Sequence, residues 1–280
     1  MAIKKEVIIT GSSGFLGQAI IKNLSKRFKI IGIDKKKKLN NKKNINHKKQ
    51  NLNYFFKKKN LKNVHSIIHL ATAESRANIY EKKPNLAKKN INDLLSILEK
   101  IKKDKKRILL IFASTRDIER NSEYEKKNLY SISKEYCENL IRIYSKSSNF
   151  TFCIVRFPDL IDFELNKNPK KKALFKIVNN IEQSNDIIID NTNHVFEFIS
   201  RNIISKRIEQ ILNNKIKRNS ILSFRGEKIN IVKLTKKIIK MKNSKSNIIK
   251  KKKVKNKDFI FKVLSENQNY LFKELFNTQS

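Results

Sequence analysis

The sequence of 280 residues has little glycine, proline or cysteine, with 5, 3 and 2 residues of these types, and it has no tryptophan. The two cysteines, Cys137 and Cys153, do not form a motif with the spacing of a metal or redox site. We interpret them as buried thiols of a protein in a reducing compartment, and we expect no metal site.

Long apolar runs are also missing. No stretch approaches the roughly 20 residues that a membrane-spanning helix needs. The N-terminal "MAIKK" leads directly into an apolar, strand-like run and leaves no room for a signal peptide. These features predict a soluble, cytoplasmic protein without a membrane partner. With 39% hydrophobic residues, the chain can fold as one large α/β domain or as one domain with a smaller lobe.

Acidic residues are few, at 25 against 64 lysines and arginines, so the formal net charge is +39. Such an excess can indicate nucleic-acid binding, because basic side chains neutralise phosphates and release counterions. Here, however, the excess is lysine spread over the whole chain with many asparagines and isoleucines, and it lacks the interleaved aromatic residues of a single-strand-binding surface. We interpret it as the bias of an A- and T-rich coding sequence, and we do not expect a nucleic-acid partner.

Three of the five glycines lie within seven positions, in "EVIITGSSGFLGQAIIKNL" at residues 6–24. Gly11, Gly14 and Gly17 follow an apolar strand-like run and open a segment with helical apolar spacing. In such a unit the first glycine permits the tight turn and the second lets the backbone approach a pyrophosphate. The third lets the helix pack closely on the strand. The pattern predicts a dinucleotide whose phosphates lie at the positive end of the helix.

Strand-like and helix-like segments alternate after this unit. Further buried strands are predicted in "KIIGID", "VHSIIHLATA", "RILLIFAST" and "FTFCIVRF". One long amphipathic helix begins near Pro84, another covers residues 129–146, and residues 35–49 are expected to be a surface loop. This alternation predicts an α/β fold with a Rossmann-type, doubly wound parallel sheet.

The alternation weakens after Pro158. Residues 163–193 are polar and irregular, "VFEFIS" is a strand, and a helix and a strand–turn–helix segment around Gly226 follow. We therefore predict a Rossmann domain over residues 1–162, to which the strand near 195–200 returns. A smaller C-terminal lobe that binds substrate would comprise residues 163–280.

The segment "TGSSGFLG" resembles the TGxxGFxG fingerprint of the extended short-chain dehydrogenase/reductases, the NAD-dependent epimerase/dehydratase group. The resemblance covers about residues 6–162 and is looser in "FEFIS" and "SFRGEKINIVKL". It implies an NAD-dependent enzyme that transfers hydride at a hydroxyl or carbonyl group of a nucleotide sugar. It also implies a homodimer formed through the helix of Tyr130 and the helix over 84–103.

The resemblance also implies the residues that bind the cofactor. Asp34 ends the second strand, where an acid accepts hydrogen bonds from the adenosine ribose and disfavours a 2′-phosphate, so NAD is expected rather than NADP. His69 is expected to be a sheet residue and not a catalyst. The other implied cofactor contacts are Gly11, Ser13, Gly14, Phe15, Leu16 and Gly17; Asn51 and Leu52, with Asn51 in place of the usual Asp; Leu70, Ala71 and Thr72; Ala113 and Ser114; Tyr130 and Lys134; and Phe157 and Pro158.

The catalytic residues lie in "YSISK" and "FAST". Tyr130 and Lys134 are four residues apart and share one face of a helix. A tyrosine with a pKa near ~10 is a poor base at neutral pH, and a neighbouring ammonium favours its phenolate. By the resemblance, Thr115 is the residue that hydrogen-bonds the reacting oxygen, and Lys134 also contacts the nicotinamide ribose.

On the substrate side the sequence departs from the family. Asp159 stands where an Asn usually contacts substrate, and His194 falls where many members have an Arg that binds a phosphate. Arg116 and Asp117 replace the acidic pair with which dehydratases eliminate water. Epimerisation or simple carbonyl and alcohol chemistry is therefore favoured, in a pathway that makes sugars for surface polysaccharides.

Two alternatives keep the fold but not this activity. The net charge motivates an RNA-binding protein, like the stem-loop-binding members of chloroplasts. Asp159 and His194 motivate a regulator that binds the cofactor without turnover.

Overall fold

The structure is a computed structural model, and it describes residues 4–35, 44–74, 77–120, 128–162 and 173–250. The chain forms two compact units. The first comprises Met1–Pro158 and Arg201–Phe224, and the second comprises Asp159–Ser200 and Arg225–Ser280.

The first unit is built on a seven-stranded sheet in which every neighbouring pair is parallel. Numbered along the chain, its strands are β1 (Glu6–Thr10), β2 (Lys29–Asp34), β3 (Ile45–Lys49), β4 (Val64–His69), β5 (Leu109–Thr115), β6 (Thr151–Phe157) and β10 (Ser220–Ser223). Their order is β10-β6-β5-β4-β1-β2-β3. All residues of β1 and β5 are buried, as expected for strands covered on both faces.

Seven helices of the first unit cover this sheet: α1 (Phe15–Leu24), α2 (Leu52–Lys58), α3 (Asn78–Lys82), α4 (Asn85–Asp104), α5 (Asp117–Arg120), α6 (Leu129–Ser147) and α8 (Arg201–Leu212). Helix α4 packs between α2 and α6, and α1 packs on α8. Strand order reverses between β1 and β4, so the carboxyl ends of these two strands border the crevice where doubly wound sheets bind ligands. The fold is therefore the predicted Rossmann type.

The second unit contains a three-stranded sheet in the order β11-β9-β7 and a parallel pair of β8 and β12. Its elements are β7 (Asp159–Ile161), α7 (Ala173–Glu182), β8 (Ile187–Ile189), β9 (Val195–Ser200), β11 (Glu227–Asn230), α9 (Ile231–Met241) and β12 (Ile248–Lys250). Its core is mostly aliphatic, with Ile181 and Leu234 among its members, and also contains Phe198.

The structure corrects several expectations. Residues 45–49, expected in a loop, form β3 at the edge of the sheet, and their single buried side chain, His47, explains why hydrophobic periodicity missed them. Helix α7 and strand β8 lie within residues 163–193, which were expected to be irregular.

The strand at 195–200 does not join the large sheet as expected. It pairs with β7 and, antiparallel, with β11, while residues 201–224 return to the first unit. The first unit's N-terminal segment ends at Pro158 rather than at residue 162. Residues 36–43, 163–172 and the basic tail after 250 lie outside the described part of the chain.

In the described ranges, none of the helices has the length and hydropathy to cross a membrane.

Candidate cofactor crevice and active site

The turn between β1 and α1 is formed by backbone. Gly11 has a φ of +69°, a conformation that side-chain-bearing residues rarely adopt. Its amide donates to the carbonyl of Ile33 at 2.9 Å, and a Cβ on it would lie 2.9 Å from the backbone nitrogen of Ala71. The amide of Gly14 in turn donates to the carbonyl of Gly11 at 2.9 Å. Only glycine fits at position 11, because this turn lies directly against the end of β4.

The third glycine sets how closely α1 approaches this turn. A Cβ on Gly17 would lie 2.4 Å from the carbonyl oxygen of Gly11 and 2.8 Å from that of Ser12. A Cβ on Gly14 would meet, among described residues, only the peptide of Gly11 within 4 Å. The backbone at the start of α1 is therefore bare on one side.

The first turn of α1 has the electrostatics of an anion site. It contains no acidic residue, and the amides of Phe15 and Leu16 have no partner within the helix at this position. Amides at a helix N-terminus and the helix dipole both favour a negative charge. The residues present therefore fit a dinucleotide diphosphate.

Beside this turn, Asp34 ends β2 and accepts a hydrogen bond from the amide of Ser13 at 3.1 Å. His47 on β3 was not identified from the sequence. Its Nε2 lies 2.7 Å from the hydroxyl of Ser12 and 3.3 Å from that of Ser13, and its ring is buried. His47 thus supports the glycine turn through the hydroxyls of Ser12 and Ser13. No signal in the sequence indicated this role, because His47 lies in a lysine-rich segment.

Asn51 and Leu52 begin α2. The side chain of Asn51 caps the helix by accepting from the amide of Asn53 at 3.0 Å, and Leu52 is part of the core. Asn51 and Leu52, expected to contact the cofactor, therefore lie at a helix start that the sequence analysis did not predict.

The end of β4 is tied to the end of β1. The amide of Leu70 donates to the carbonyl of Thr10 at 3.2 Å, and the amide of Ala71 donates to the Thr10 hydroxyl at 3.2 Å. His69 is a buried sheet residue, as predicted, with its Nδ1 2.7 Å from the same hydroxyl. Burial lowers the pKa of His69 to about 3, with a further contribution from the charge of Lys134, so the ring is neutral at physiological pH.

A buried polar network follows β4 and was not expected. The Asn90 side chain on α4 accepts from the amide of Ala73 at 2.8 Å and donates to the Tyr80 hydroxyl at 2.9 Å. The Thr72 hydroxyl lies 3.2 Å from that of Tyr80. The Tyr80 ring is fully buried and packs 5.2 Å from the ring of Tyr130. The network thus supports both the β4 loop and the predicted catalytic tyrosine.

Tyr130 lies in the first turn of α6, which Asn128 caps by accepting from the amide of Ser131 at 2.8 Å. One turn later, the Lys134 ammonium is 6.0 Å from the centre of the Tyr130 ring and donates to the carbonyl of Ala113 at 2.9 Å. Lys134 is 3% exposed, and this burial lowers the pKa of its ammonium to about 8. The structure therefore brings Tyr130, Lys134 and the end of β5 together.

Thr115 is the last residue of β5 and lies opposite Phe157 on β6. It is buried, and its hydroxyl accepts from the amide of Asp117 at 3.2 Å. The carbonyl of Phe157 accepts from the amide of Arg116, and the buried Pro158 follows. These residues lie at the carboxyl end of the sheet, as the glycine turn does, because all seven strands run in one direction.

Ser114, the residue before Thr115, contacts a cluster of charged side chains. Its hydroxyl donates to the Glu138 carboxylate of α6 at 2.5 Å, and Arg156 of β6 donates to the same carboxylate at 2.9 and 2.6 Å. Arg156 also contacts Glu119 at 3.1 Å. Sequence reasoning missed this charged cluster, although Glu138 lies four residues after Lys134 and so on the same helix face.

The predicted substrate residues belong to the second unit. Asp159 is exposed at the start of β7. His194 is also exposed and packs edge-on against Phe196, with ring centres 4.7 Å apart. Among described residues of both units, no group of three or more His, Cys, Asp or Glu side chains could hold a metal ion.

Comparison with known proteins agrees with this geometry. The model of the NAD dependent epimerase/dehydratase family matches residues 7–215. A search of curated proteins finds no match.

Among solved structures, the chain is similar to a UDP-N-acetylglucosamine 4-epimerase from Methanobrevibacter ruminantium M1, with a TM-score of 0.76 and 18% identity over 99% of this chain and 97% of that one. It is similar to a UDP-glucose 4-epimerase from Thermotoga maritima, with a TM-score of 0.76 and 16% identity over 88% and 85% of the two chains. It is also similar to a dTDP-glucose 4,6-dehydratase from Streptomyces venezuelae with bound NAD, with a TM-score of 0.73 and 14% identity over 88% and 85%. These TM-scores establish a shared fold.

Proposed function

The chain belongs to the NAD dependent epimerase/dehydratase family, and we propose that it is an NAD-dependent epimerase or oxidoreductase acting on a nucleotide sugar. One observation carries the proposal. A buried lysine ammonium, hydrogen-bonded to the end of β5, lies 6.0 Å from the ring of a tyrosine in the first turn of α6, on the sheet edge that also bears the glycine turn.

The chain's own residues supply two binding elements for NAD. The bare backbone of Gly14 and the amides of Phe15 and Leu16 would hold the diphosphate. The Asp34 carboxylate at the end of β2 would accept hydrogen bonds from the adenosine ribose, which favours NAD over NADP.

Tyr130 is the proposed acid and base. Its phenolate would take the proton of a sugar hydroxyl, while Thr115 hydrogen-bonds the same oxygen and Lys134 stabilises the phenolate charge. When bound, NAD would supply the hydride acceptor for the sugar carbon whose hydroxyl proton Tyr130 takes. Lys134 holds a charge at neutral pH because its lowered pKa, about 8, still lies above 7.

The substrate class comes from the structural relatives, which include proteins solved with UDP-glucose and with UDP-glucuronic acid and NAD. Since Arg116 and Asp117 replace the acidic pair of the dehydratases, epimerisation or redox chemistry is favoured over elimination of water. Synthesis of surface-polysaccharide sugars, in the cytoplasm, is the proposed pathway.

A homodimer through α4 and α6 is part of the proposal. Two apolar side chains on α6, seven residues apart and hence on one face, are exposed: Tyr136 at 52% and Ile143 at 61%. Light scattering during size exclusion should give about twice the mass of the chain, 33.0 kDa. Ile143→Lys should shift the protein towards the monomer, and an unchanged mass would remove this part of the proposal.

The test of the activity is incubation of the purified protein and NAD with a panel of UDP-, dTDP-, GDP- and CDP-sugars. The absorbance of NADH and the identity of the product are followed together. An isomerised product without net NADH marks an epimerase, and net NADH marks a dehydrogenase. If no sugar in the panel is converted although NAD binds, the proposed activity is wrong.

A further inference from the structure

Glu138 is the most deeply buried acidic side chain of the active-site helix, with 1% of the side chain exposed. Its carboxylate accepts three hydrogen bonds, one from the Ser114 hydroxyl and two from the Arg156 guanidinium. Two parallel bonds from a guanidinium are strong and favour the ionised carboxylate. No step of the mechanism above uses Glu138.

Glu138 and Lys134 are one turn apart on α6 and hold consecutive residues of β5. Lys134 donates to the carbonyl of Ala113 at 2.9 Å, and Glu138 accepts from the hydroxyl of Ser114 at 2.5 Å. The next residue of the strand is Thr115. The two contacts therefore fix the position of β5 along α6. They thereby also fix the position of Thr115 relative to Tyr130.

The charges around Lys134 also give Glu138 a role. Burial disfavours the ammonium, and first Cys137 and then Glu138 oppose this effect by raising the pKa of Lys134. Burial itself raises the pKa of the Cys137 thiol to about 11, so at neutral pH that group is an uncharged thiol. His69, which faces Lys134 from β4, is neutral as well.

Arg156 is the charged group that pairs with Glu138. It donates to this carboxylate and to Glu119, and Glu119 in turn accepts from Arg116 and from Ser223 of β10. Among the described groups that contribute to Lys134, Glu138 is thus the carboxylate, and it is paired with Arg156.

We propose that Glu138 is a positioning residue of the active site, which keeps Lys134 as an ammonium at neutral pH and holds Ser114 so that Thr115 and Tyr130 face the same reacting oxygen. Arg156 serves by pairing with the buried Glu138 carboxylate through two hydrogen bonds. This inference rests on the proposed function and deepens it.

The test is a titration of the Tyr130 phenol, which does not require turnover. Ultraviolet absorbance of phenolate is followed against pH for the full-length protein with NAD. The chain has 7 tyrosines, so the Tyr130 signal is the difference between the protein and its Tyr130→Phe variant. With NAD bound, the ammonium and the nicotinamide charge should bring this transition into the range where Lys134 is still protonated, below its pKa of about 8. Glu138→Gln should then move the transition upward by about one pH unit, because a Lys134 that loses its proton earlier no longer stabilises the phenolate.

Glu119→Gln is the matched control, since Glu119 is a carboxylate of the same cluster that binds Arg156 but has no contact with Ser114 among the described bonds. It should shift the phenol transition much less than Glu138→Gln. A folded Glu138→Gln protein whose transition stays in place, or shifts no more than the control, overturns the inference.

Glu138→Gln leaves the Arg156 charge without its partner and can prevent folding. Glu138→Gln combined with Arg156→Gln removes both charges. It should move the transition in the same direction, because the contribution of Glu138 to the pKa of Lys134 is lost in both variants. If the transition is unchanged in the folded double variant, the inference is overturned, as it is by an unchanged transition in the single variant.

Kinetics separates this inference from the proposed function. With a converted sugar, Glu138→Gln should lower kcat about tenfold at pH 7, leave KM near its original value and move the lower limb of the pH profile upward. If the original protein and the Glu138→Gln variant convert the sugar with the same pH profile, the proposed function stands and the inference about Glu138 is wrong. If the phenol transition shifts but no sugar is converted, the effect of Glu138 on Lys134 stands and the proposed activity is refuted.

Discussion

Two sites at the carboxyl end of one sheet are built in opposite ways. In the proposed function, the glycine turn between β1 and α1, the cofactor part, depends on side chains that are absent, since a Cβ on Gly17 would lie 2.4 Å from the carbonyl oxygen of Gly11. The region of β5 and α6, the catalytic part, depends on buried charged residues, with Lys134 and Glu138 at 3% and 0% exposure of the whole residue. On this proposal the first part presents amides to an anion, and the second sets the protonation of a phenol.

The difference has an energetic side. A bare backbone turn costs little beyond the entropy of glycine. A buried ammonium costs much more, because desolvation lowers the pKa of Lys134 from 10.5 to about 8. Removing the buried charge from the catalytic part should therefore lower activity and raise stability. Altering the glycine turn of the cofactor part should lower NAD binding and stability together.

The largest effect is expected from the catalytic part. Tyr130→Phe removes the proposed acid and base and should lower kcat about 1,000-fold. The binding of NAD should remain within about twofold, since the glycine turn is unchanged. Turnover and cofactor titration are measured on the same preparation. A variant with the original kcat would show that Tyr130 does not carry the chemistry.

The next largest effect is expected from the cofactor part. Gly17→Ala places a methyl group against the carbonyls of Gly11 and Ser12 and should weaken NAD binding at least about 100-fold, by moving α1 away from the turn. Calorimetric titration with NAD measures the change, and circular dichroism checks the fold. Lys22→Ala, an exposed site on the same helix, is the control and should bind as before. Equal affinities for the two variants would contradict the role of the bare backbone.

A smaller effect is expected at the ribose. Asp34→Asn keeps the shape of the side chain but removes its charge, and should weaken NAD binding about tenfold. NADP should be affected less, because the carboxylate no longer repels its 2′-phosphate. The ratio of the two affinities is the measurement. If this ratio does not change, Asp34 does not select the cofactor.

A further effect is on stability rather than on binding or turnover, and it has the opposite sign. Between about pH 8 and 10.5 the unfolded chain holds the proton of Lys134 and the folded protein has released it, so this group's contribution to stability rises with pH in that window. Below it, the cost of the buried charge is about 3 kcal/mol. Lys134→Met should therefore raise the free energy of unfolding at pH 7 by about 2 kcal/mol, after the loss of the bond to Ala113.

Urea unfolding at pH 7 and pH 10 measures this change, and the gain should shrink at pH 10. Lys146→Met, an exposed position on the same helix, should change the stability little at either pH. A destabilised Lys134→Met protein would show that the buried ammonium is not a cost to the fold.

The sequence revealed the cofactor part better than the catalytic part, for a physical reason. Glycine spacing and apolar strands are local patterns, so Gly11, Gly14 and Gly17 and the parallel sheet could be predicted. Glu138 and Arg156 are 18 residues apart on different elements and meet only in the folded protein. In a chain with 32% charged residues, neither could be distinguished from surface charges.

The small elements were missed for a similar reason. Strand β3 has one buried side chain in five, so it has no hydrophobic pattern, and it joins the sheet through backbone pairing with β2. The strand at 195–200 was predicted to return to the large sheet. Its partners, β7 and β11, decide its place, and a strand's partners are not a local property of its sequence.

The most direct test of the central claim is a crystal structure of the protein with NAD. The account predicts the diphosphate within hydrogen-bond distance of the amides of Phe15 and Leu16, and the nicotinamide beside the Tyr130 hydroxyl. A dinucleotide bound elsewhere, or a diphosphate held only by side chains with the ring remote from Tyr130, would contradict it.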